Sequence, residues 1–372
     1  MKKLLSIVLC AAMICSLALC AVPAWAAEDD EPVKIGVSLW FTGGDMGKES
    51  RDLLEDAAKV LGVELEFIDH EFNPEIIGTV VQTFIDDGCD GIIFNNPSDM
   101  DMDSAIDLCD ENGVYLVQGF HIINAEESPE IYEKAVASEY AIGGVHENEP
   151  LNGENLVNIL LDNGHRNIGL VGWMAGDALW EGRLVGYKVG VEAWNEAHPD
   201  DPAVLFDPLY SEGSEEKAEA AATELMETYP ELDALIGEPI QGILSAIEKA
   251  GRVGEIGFVA TDFLPDLGER LENGSVTGQA GGHYSDPLFA LMLVYNAIRG
   301  VYTDIAGQYV DVTSPYLYIS SVDEYETYKQ YFVDQFPYSD EEIAAMAEGS
   351  IEDIIQAAAD LSVQDAADRA AA

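Results

Sequence analysis

The sequence predicts an α/β protein of two lobes, each built on an open parallel sheet. From residue 33 onward, short apolar runs alternate with stretches of helical spacing, the rhythm of βαβ units. A strand motif also occurs twice. KIGVSLWFTGGD, residues 34–45, aligns without a gap with NIGLVGWMAGD, residues 167–177, as far as Gly43 and Gly176, at an offset of 133. Ile35 and Ile168, Gly36 and Gly169, Val37 and Leu170, and Trp40 and Trp173 fall opposite one another. Each lobe therefore begins its sheet with the same kind of strand.

In chain order, the first lobe carries candidate strands at 34–40, 63–69, 90–95 and 114–118. Between them, 48–61, 75–87 and 100–112 have helical spacing, as in Leu53, Leu54, Ala57 and Val60. A long helical pattern at 141–163 leads into the second series. Its strands are 203–209, 232–237, 255–260 and 275–280 after the opening 167–173, and its helices 180–196, 214–228, 240–251 and 264–273. An apolar helix at 286–299 follows, and the Ala- and Asp-rich residues 348–372 read as a terminal helix fraying into a tail.

Ahead of both lobes, Lys2 and Lys3, an apolar run over 4–22 and Ala24-Trp25-Ala26 read as a secretory signal peptide, residues 1–26. The protein is therefore expected to be exported, periplasmic or at the cell surface. Leu17-Ala18-Leu19-Cys20 resembles a lipobox, with leucine where a small residue normally precedes the cysteine, so a lipid anchor at Cys20 is an alternative, as is an uncleaved anchor. Cleavage after Ala26 leaves 346 of the 372 residues, the size of two ordinary domains. No later run is long enough to span a bilayer.

Of five cysteines, only Cys89 and Cys109 remain in the mature chain, which is no disulfide framework. Each stands where a helix gives way to the next element and reads as a small buried side chain, with a bridge between them as the alternative. With 17 basic against 70 acidic residues the formal charge is −53, or −55 without Lys2 and Lys3. Such a surface repels phosphate backbones and anionic lipid headgroups, so no nucleic-acid partner is expected. A hydrophobic share of 48% still supplies ample core.

Open α/β sheets bind ligands beyond the carboxyl ends of their strands. Trp40 and Trp173 stand at that edge, where two facing indoles would suit the CH-rich faces of a sugar ring; as core residues they would close the strand ends. Arg183 stands at a predicted helix start, where the helix dipole disfavours its charge. Its fixed donors suit hydroxyl or carboxylate oxygens of a ligand, or a salt bridge to one of the 70 acids. Asp262 ends an apolar strand as a helix N-cap or a ligand contact. Asn95 and Asn96 close the strand DGIIFNN, and His121 and His283 lie near the predicted crossings between lobes.

GGDMGKES follows a strand like a phosphate loop, but Gly43 to Gly47 is one residue short of the required spacing and Glu49 replaces the magnesium-binding hydroxyl. DMDMD, residues 99–103, begins like a calcium loop but has Ser104 in place of the glycine and Asp110 at the twelfth position. A helix N-terminus rich in acids accounts for it better. No nucleophile elbow, zinc helix or paired-cysteine motif appears, so no cofactor and no metal are expected.

GHRNIGLVGW followed by ALWEGRLVGY resembles the periplasmic binding protein type I family: the ribose- and galactose-binding proteins of bacterial ABC transporters and the ligand-binding core of lactose-repressor-like regulators. The resemblance covers about residues 33–345. It implies two Rossmann-like doubly wound lobes joined by a three-segment hinge, with an N-terminal lobe of 33–138 plus 283–311, a C-terminal lobe of 139–282 plus 312–345, and a helical tail over 346–372. It further implies that Arg183 of Arg183-Leu-Val-Gly186-Tyr187 and Asp262 of GEIGFVATDF contact a sugar, and it puts Glu238 of LDALIGEPIQG nearest a third polar ligand position. PLYSEGSEEKAEAAATEL and SSVDEYETYKQYF fit the family's later segments. The chain departs from the pattern at FTGGDMG, which lacks the usual aromatic pair, at Phe120 and His121 in place of an aspartate, and at Gly282 and His283 about where a glutamine is common.

The resemblance thus implies a non-enzymatic solute-binding protein, a monomer that takes a small neutral sugar or polyol between its lobes and docks on an ABC permease. The expected site is Trp40, Asn96, His121, Trp173, Arg183, Glu238, Asp262 and His283. Replacing Arg183 with Ala is expected to remove ligand binding and leave the fold intact. The alternatives are a secreted carbohydrate hydrolase and a sensory binding protein that reports to a membrane receptor. A transcriptional regulator is disfavoured, because a signal peptide occupies the place of the DNA-binding helices.

Overall fold

The computed structural model describes residues 32–371, apart from 41, 44, 303 and 304. The predicted signal peptide, with Cys10, Cys15 and Cys20, lies outside the described residues. The first series runs β1 (Lys34–Leu39), α1 (Asp45–Leu61), β2 (Glu64–Asp69), α2 (Pro74–Asp86), β3 (Gly91–Phe94), α3 (Asp99–Asn112), β4 (Tyr115–Gly119), α4 (Pro129–Ala137) and β5 (Ala141–Glu147). The second runs α5 (Glu149–Asp162), β6 (Asn167–Gly172), α6 (Ala178–Ala197), β7 (Val204–Leu205), β8 (Leu209–Tyr210), α7 (Glu215–Thr228), β9 (Ala234–Gly237), α8 (Ile240–Lys249), β10 (Gly257–Thr261), α9 (Leu267–Asn273) and β11 (Gly278–Gly281). After a 3-10 turn at His283–Ser285 come α10 (Asp286–Ile298), β12 (Val310–Ser314), β13 (Leu317–Ile319), α11 (Val322–Tyr328), α12 (Asp340–Met346), α13 (Ile351–Asp360) and α14 (Val363–Ala371).

The strands form two sheets. One has the order β12-β5-β4-β3-β1-β2 and is parallel throughout. The other has the order β13-β11-β10-β9-β6-β7, with β8 also beside β6, and only β13 is antiparallel. Composition follows position: the inner strand β3, GIIF, is fully buried, whereas the edge strand β2, ELEFID, stays partly exposed. Helix starts are set locally. Ser98 forms a capping box with Asp101 at the start of α3, which accounts for the acidic DMDMD run.

Several expectations need correction. The helical pattern at 141–163 begins with a strand, since β5 pairs with β4 and β12 and so belongs to the first sheet. Gly143 and Gly144 make this possible: a Cβ at Gly143 would lie 2.1 Å from the Val310 carbonyl oxygen, and one at Gly144 would lie 2.4 Å from that of His121. The first crossing therefore falls at Asn148, after β5, and not at 138/139. β12 keeps the chain in the first sheet to Ser314, two residues beyond the expected start of the last C-terminal-lobe segment at 312. The expected strand at 203–209 is broken into β7 and β8 around Pro208, which lacks a backbone donor.

Over its described residues the C-terminal region folds back onto the body as helices. α12 packs on α1, and α13 packs on β12 and α10, both in the first lobe, while α14 returns to α11. Ile354, Ala358 and Leu361 are buried there, so an apolar face anchors what the composition suggested was a tail.

Cys89 and Cys109 are both free and buried. Burial pushes each thiol up to about 12. In native protein at pH 8 neither is expected to react with a maleimide, and both should react in denaturant; labelling read by intact mass checks this.

Candidate functional site

Trp40 follows β1 at the carboxyl edge of the first sheet, and Asp262 follows β10 at the carboxyl edge of the second. Between them lies a cavity of about 320 Å³ lined by Trp40, Met46 and Gly47 from the first lobe and by Asp262, Phe263, Gly281, Gly282 and His283. That volume falls in the range of small-molecule sites.

The backbone is bent at Asp262 in this wall and at Phe120, which packs against Trp40. Asp262 has φ +74 and Phe120 φ +60, left-handed values that cost a side-chain-bearing residue about 1–3 kcal/mol. Gly281 lets the Phe263 ring lie against it, since a Cβ there would be 2.8 Å from that ring. The Trp40 and Phe120 rings meet edge to face at 4.9 Å, and Phe120 and His283 at 6.4 Å. His283 in turn lies 4.9 Å from Tyr316. An aromatic chain thus runs from the tip of β1 to the crossings between lobes.

His283 is buried, and its Nε2 lies 3.5 Å from Asp262 Oδ1. Burial lowers its pKa, so the ring is neutral at pH 7. Its Nδ1 has no hydrogen-bond partner among the described residues. Asp262 is different, with a side chain 60% exposed toward the cavity.

Arg183 occupies the second turn of α6, not its first residues. The helix presses against α5 at glycines: a Cβ on Gly153 would lie 2.1 Å from the Arg183 carbonyl oxygen. This contact brings the Arg183 side chain to Glu149, the first residue of α5. The guanidinium donates to Glu149 from Nε at 2.5 Å and Nη2 at 3.2 Å, to Glu238 from Nη1 at 2.6 Å, and to the Tyr316 hydroxyl from Nη2 at 3.4 Å. Tyr316 donates to Glu149 at 2.8 Å. Burial opposes the guanidinium charge, but Glu238, Tyr316 and Glu149 outweigh it and hold the pKa above the usual arginine value. Burial pushes the Glu238 carboxyl up to about 7; Arg183 pulls it down, and Asp262 and Glu149 add to the rise.

Of the expected site residues, the structure brings Trp40, Asp262 and His283 onto one cavity, with the buried Arg183 and the partly buried Glu238 in an ionic network behind it. The other three are engaged elsewhere. Asn96 is buried, donating to the Ser98 carbonyl and accepting from Gln118, so its amide closes a turn. His121 pairs with Asp99 at 3.0 Å. Trp173 follows β6 but packs over Gly213, whose Cβ would lie 2.9 Å from the indole, and it does not line the cavity. The facing pair of indoles expected from the repeat is therefore absent from this cavity, whose described aromatic lining is Trp40, Phe263 and His283. Sequence reasoning missed Glu149, Tyr316 and Phe263. Glu149 reads locally as an acid favoured by a helix N-terminus, which hides its pairing.

A family model described as a periplasmic binding protein domain matches residues 35–288. No curated protein matches the chain significantly. Among solved structures, an ABC transporter periplasmic solute binding protein from Actinobacillus succinogenes with bound D-allose superposes with a TM-score of 0.64 at 17% identity, covering 80% of this chain and 100% of that one. A glucose-galactose binding protein from Geobacillus stearothermophilus gives 0.60 at 15%, covering 78% and 98%. A Bacillus halodurans solute binding protein with bound myo-inositol gives 0.62 at 16%, covering 81% and 99%. With two α/β lobes on parallel sheets, an interlobe cavity at the strand tips and a family match over most of its length, the chain belongs to the periplasmic binding protein domain family.

Proposed function

We propose that the protein is an exported, monomeric and non-catalytic solute-binding protein of an ABC importer, which takes a small neutral sugar or polyol between its lobes and delivers it to a membrane permease. The observation that carries this reading is the cavity itself, walled by Trp40 from one lobe and by Asp262, Phe263 and His283 from the other side. Trp40 and Phe263 offer apolar faces to the CH-rich faces of a sugar ring. The Asp262 carboxylate accepts from ring hydroxyls, and a charge-assisted bond of this kind is stronger than a neutral one. The D-allose and myo-inositol bound by two structural relatives support the same ligand class. Ligand touching both walls favours the closed arrangement of the lobes, which is the form a permease would recognise.

The test is a thermal-shift and calorimetric screen with D-allose, D-glucose, D-galactose and myo-inositol. A ligand at a hundred times its Kd is expected to stabilise the protein by about 2.7 kcal/mol. Trp40→Ala is expected to weaken the best of these roughly tenfold while the protein stays folded. Absence of a shift with any neutral sugar or polyol overturns the reading.

A further inference from the structure

Arg183 has the donors to anchor an acidic ligand, yet two carboxylates hold it. Glu149 takes Nε and Nη2 in a fork, and Glu238 takes Nη1. The network stands directly behind the cavity wall, since Tyr316 touches both Arg183 and Glu149 and its ring lies 4.9 Å from that of His283. One guanidinium thus faces two carboxylates, and Asp262 adds a third acid on the wall itself. His283 contributes no positive charge at pH 7, and no Lys or Arg is among the described residues lining the cavity. Charges buried this way are weakly screened, so their excess sign reaches a ligand in the cavity.

We infer that Glu149 and Glu238 are specificity-determining residues: by over-neutralising Arg183 they keep the cleft negative and exclude acidic sugars such as uronates. The inference rests on the reading of the cavity as a sugar site.

The experiment compares D-glucose with D-glucuronate, and D-galactose with D-galacturonate, by calorimetry at pH 8 on the unaltered protein and on Glu149→Gln/Glu238→Gln. The double variant keeps the side-chain shapes and removes both charges. Its preference for neutral over acidic sugar is expected to fall about tenfold or more. If that variant does not fold, Glu238→Gln alone leaves the Glu149 fork intact and should give a smaller shift of the same sign. The unaltered protein offers a second readout. Glu238 faces Arg183, Glu149, Asp262, Asp177 and Tyr187, and its carboxyl sits at about 7, so lowering the pH from 8 to 5.5 protonates it and should strengthen uronate binding relative to neutral sugar. Discrimination unchanged in the variants and flat with pH overturns the inference while neutral-sugar binding upholds the functional reading. Failure of all four probes to bind any of the proteins overturns the inference, and failure of D-allose and myo-inositol as well overturns the functional reading.

Discussion

Arg183→Ala is expected to destabilise the protein by about 3–5 kcal/mol, because it leaves the buried Glu149 and the partly buried Glu238 carboxylates without their counter-charge. Glu149 and Arg183 are each 9% exposed or less, and both oxygens of Glu149 accept from the guanidinium. Removing the arginine leaves Glu149 with Tyr316 as its remaining partner, and it leaves Glu238 beside Glu149 and Asp262 with nothing to oppose their repulsion. This replaces the expectation that the substitution would leave the fold intact. Urea unfolding followed by circular dichroism measures the effect, and a loss below about 1 kcal/mol would mean that the network contributes little. Arg183→Met combined with Glu149→Met and Glu238→Met should recover much of the loss, since apolar replacement of a whole buried ionic cluster is often neutral or stabilising.

Gly186→Ala is expected to cost about 3 kcal/mol and to weaken ligand binding with it. Gly182, Gly186 and Gly190 recur every fourth residue along one face of α6. A Cβ at Gly186 would lie 1.9 Å from the Pro150 carbonyl oxygen and 2.6 Å from the Glu154 nitrogen, both backbone atoms of α5. Backbone cannot turn aside as a side chain can, so α5 and α6 must separate. Because Glu149 begins α5 and Arg183 lies on α6, separation also pulls the buried network apart. Gly78→Ala is the matched control: it lies inside α2, is exposed, and a Cβ there meets nothing within 4 Å. That substitution should stabilise by about 0.5–1 kcal/mol, since alanine restricts the unfolded chain more than glycine does. Equal melting temperatures for the two variants would refute the packing argument.

The α6 stripe also shows how a motif can mark a helix without announcing what its side chains touch. Arg183-Leu-Val-Gly186-Tyr187 marks the right helix, but Gly186 serves the contact with α5, and Arg183 faces acids supplied by that contact. Asn96 and His121 stand at strand ends on the correct edge of the first sheet, as their positions predicted. Each has a partner nearby that its local sequence does not announce, Gln118 for one and Asp99 for the other. The error at β5 has the same origin, because AIGGVHE has little strand character until Val310 and His121 approach its glycines.

From sequence alone came the two-lobed α/β plan, the order of most βα units, the placement of Trp40 and Asp262 at strand ends and that of His283 near a crossing. These follow from periodicity and from residues that punctuate the chain within a few positions, which any local reading can use. Tertiary structure alone decided what Arg183 and Trp173 face. The Arg183 partners Glu149 and Tyr316 lie 34 and 133 residues away in the chain, and Trp173 faces the glycine of a loop some forty residues on. Charge pairing and ring packing depend on distance in space, and the fold sets that distance by bringing α5 against α6 and the crossings beneath the cavity.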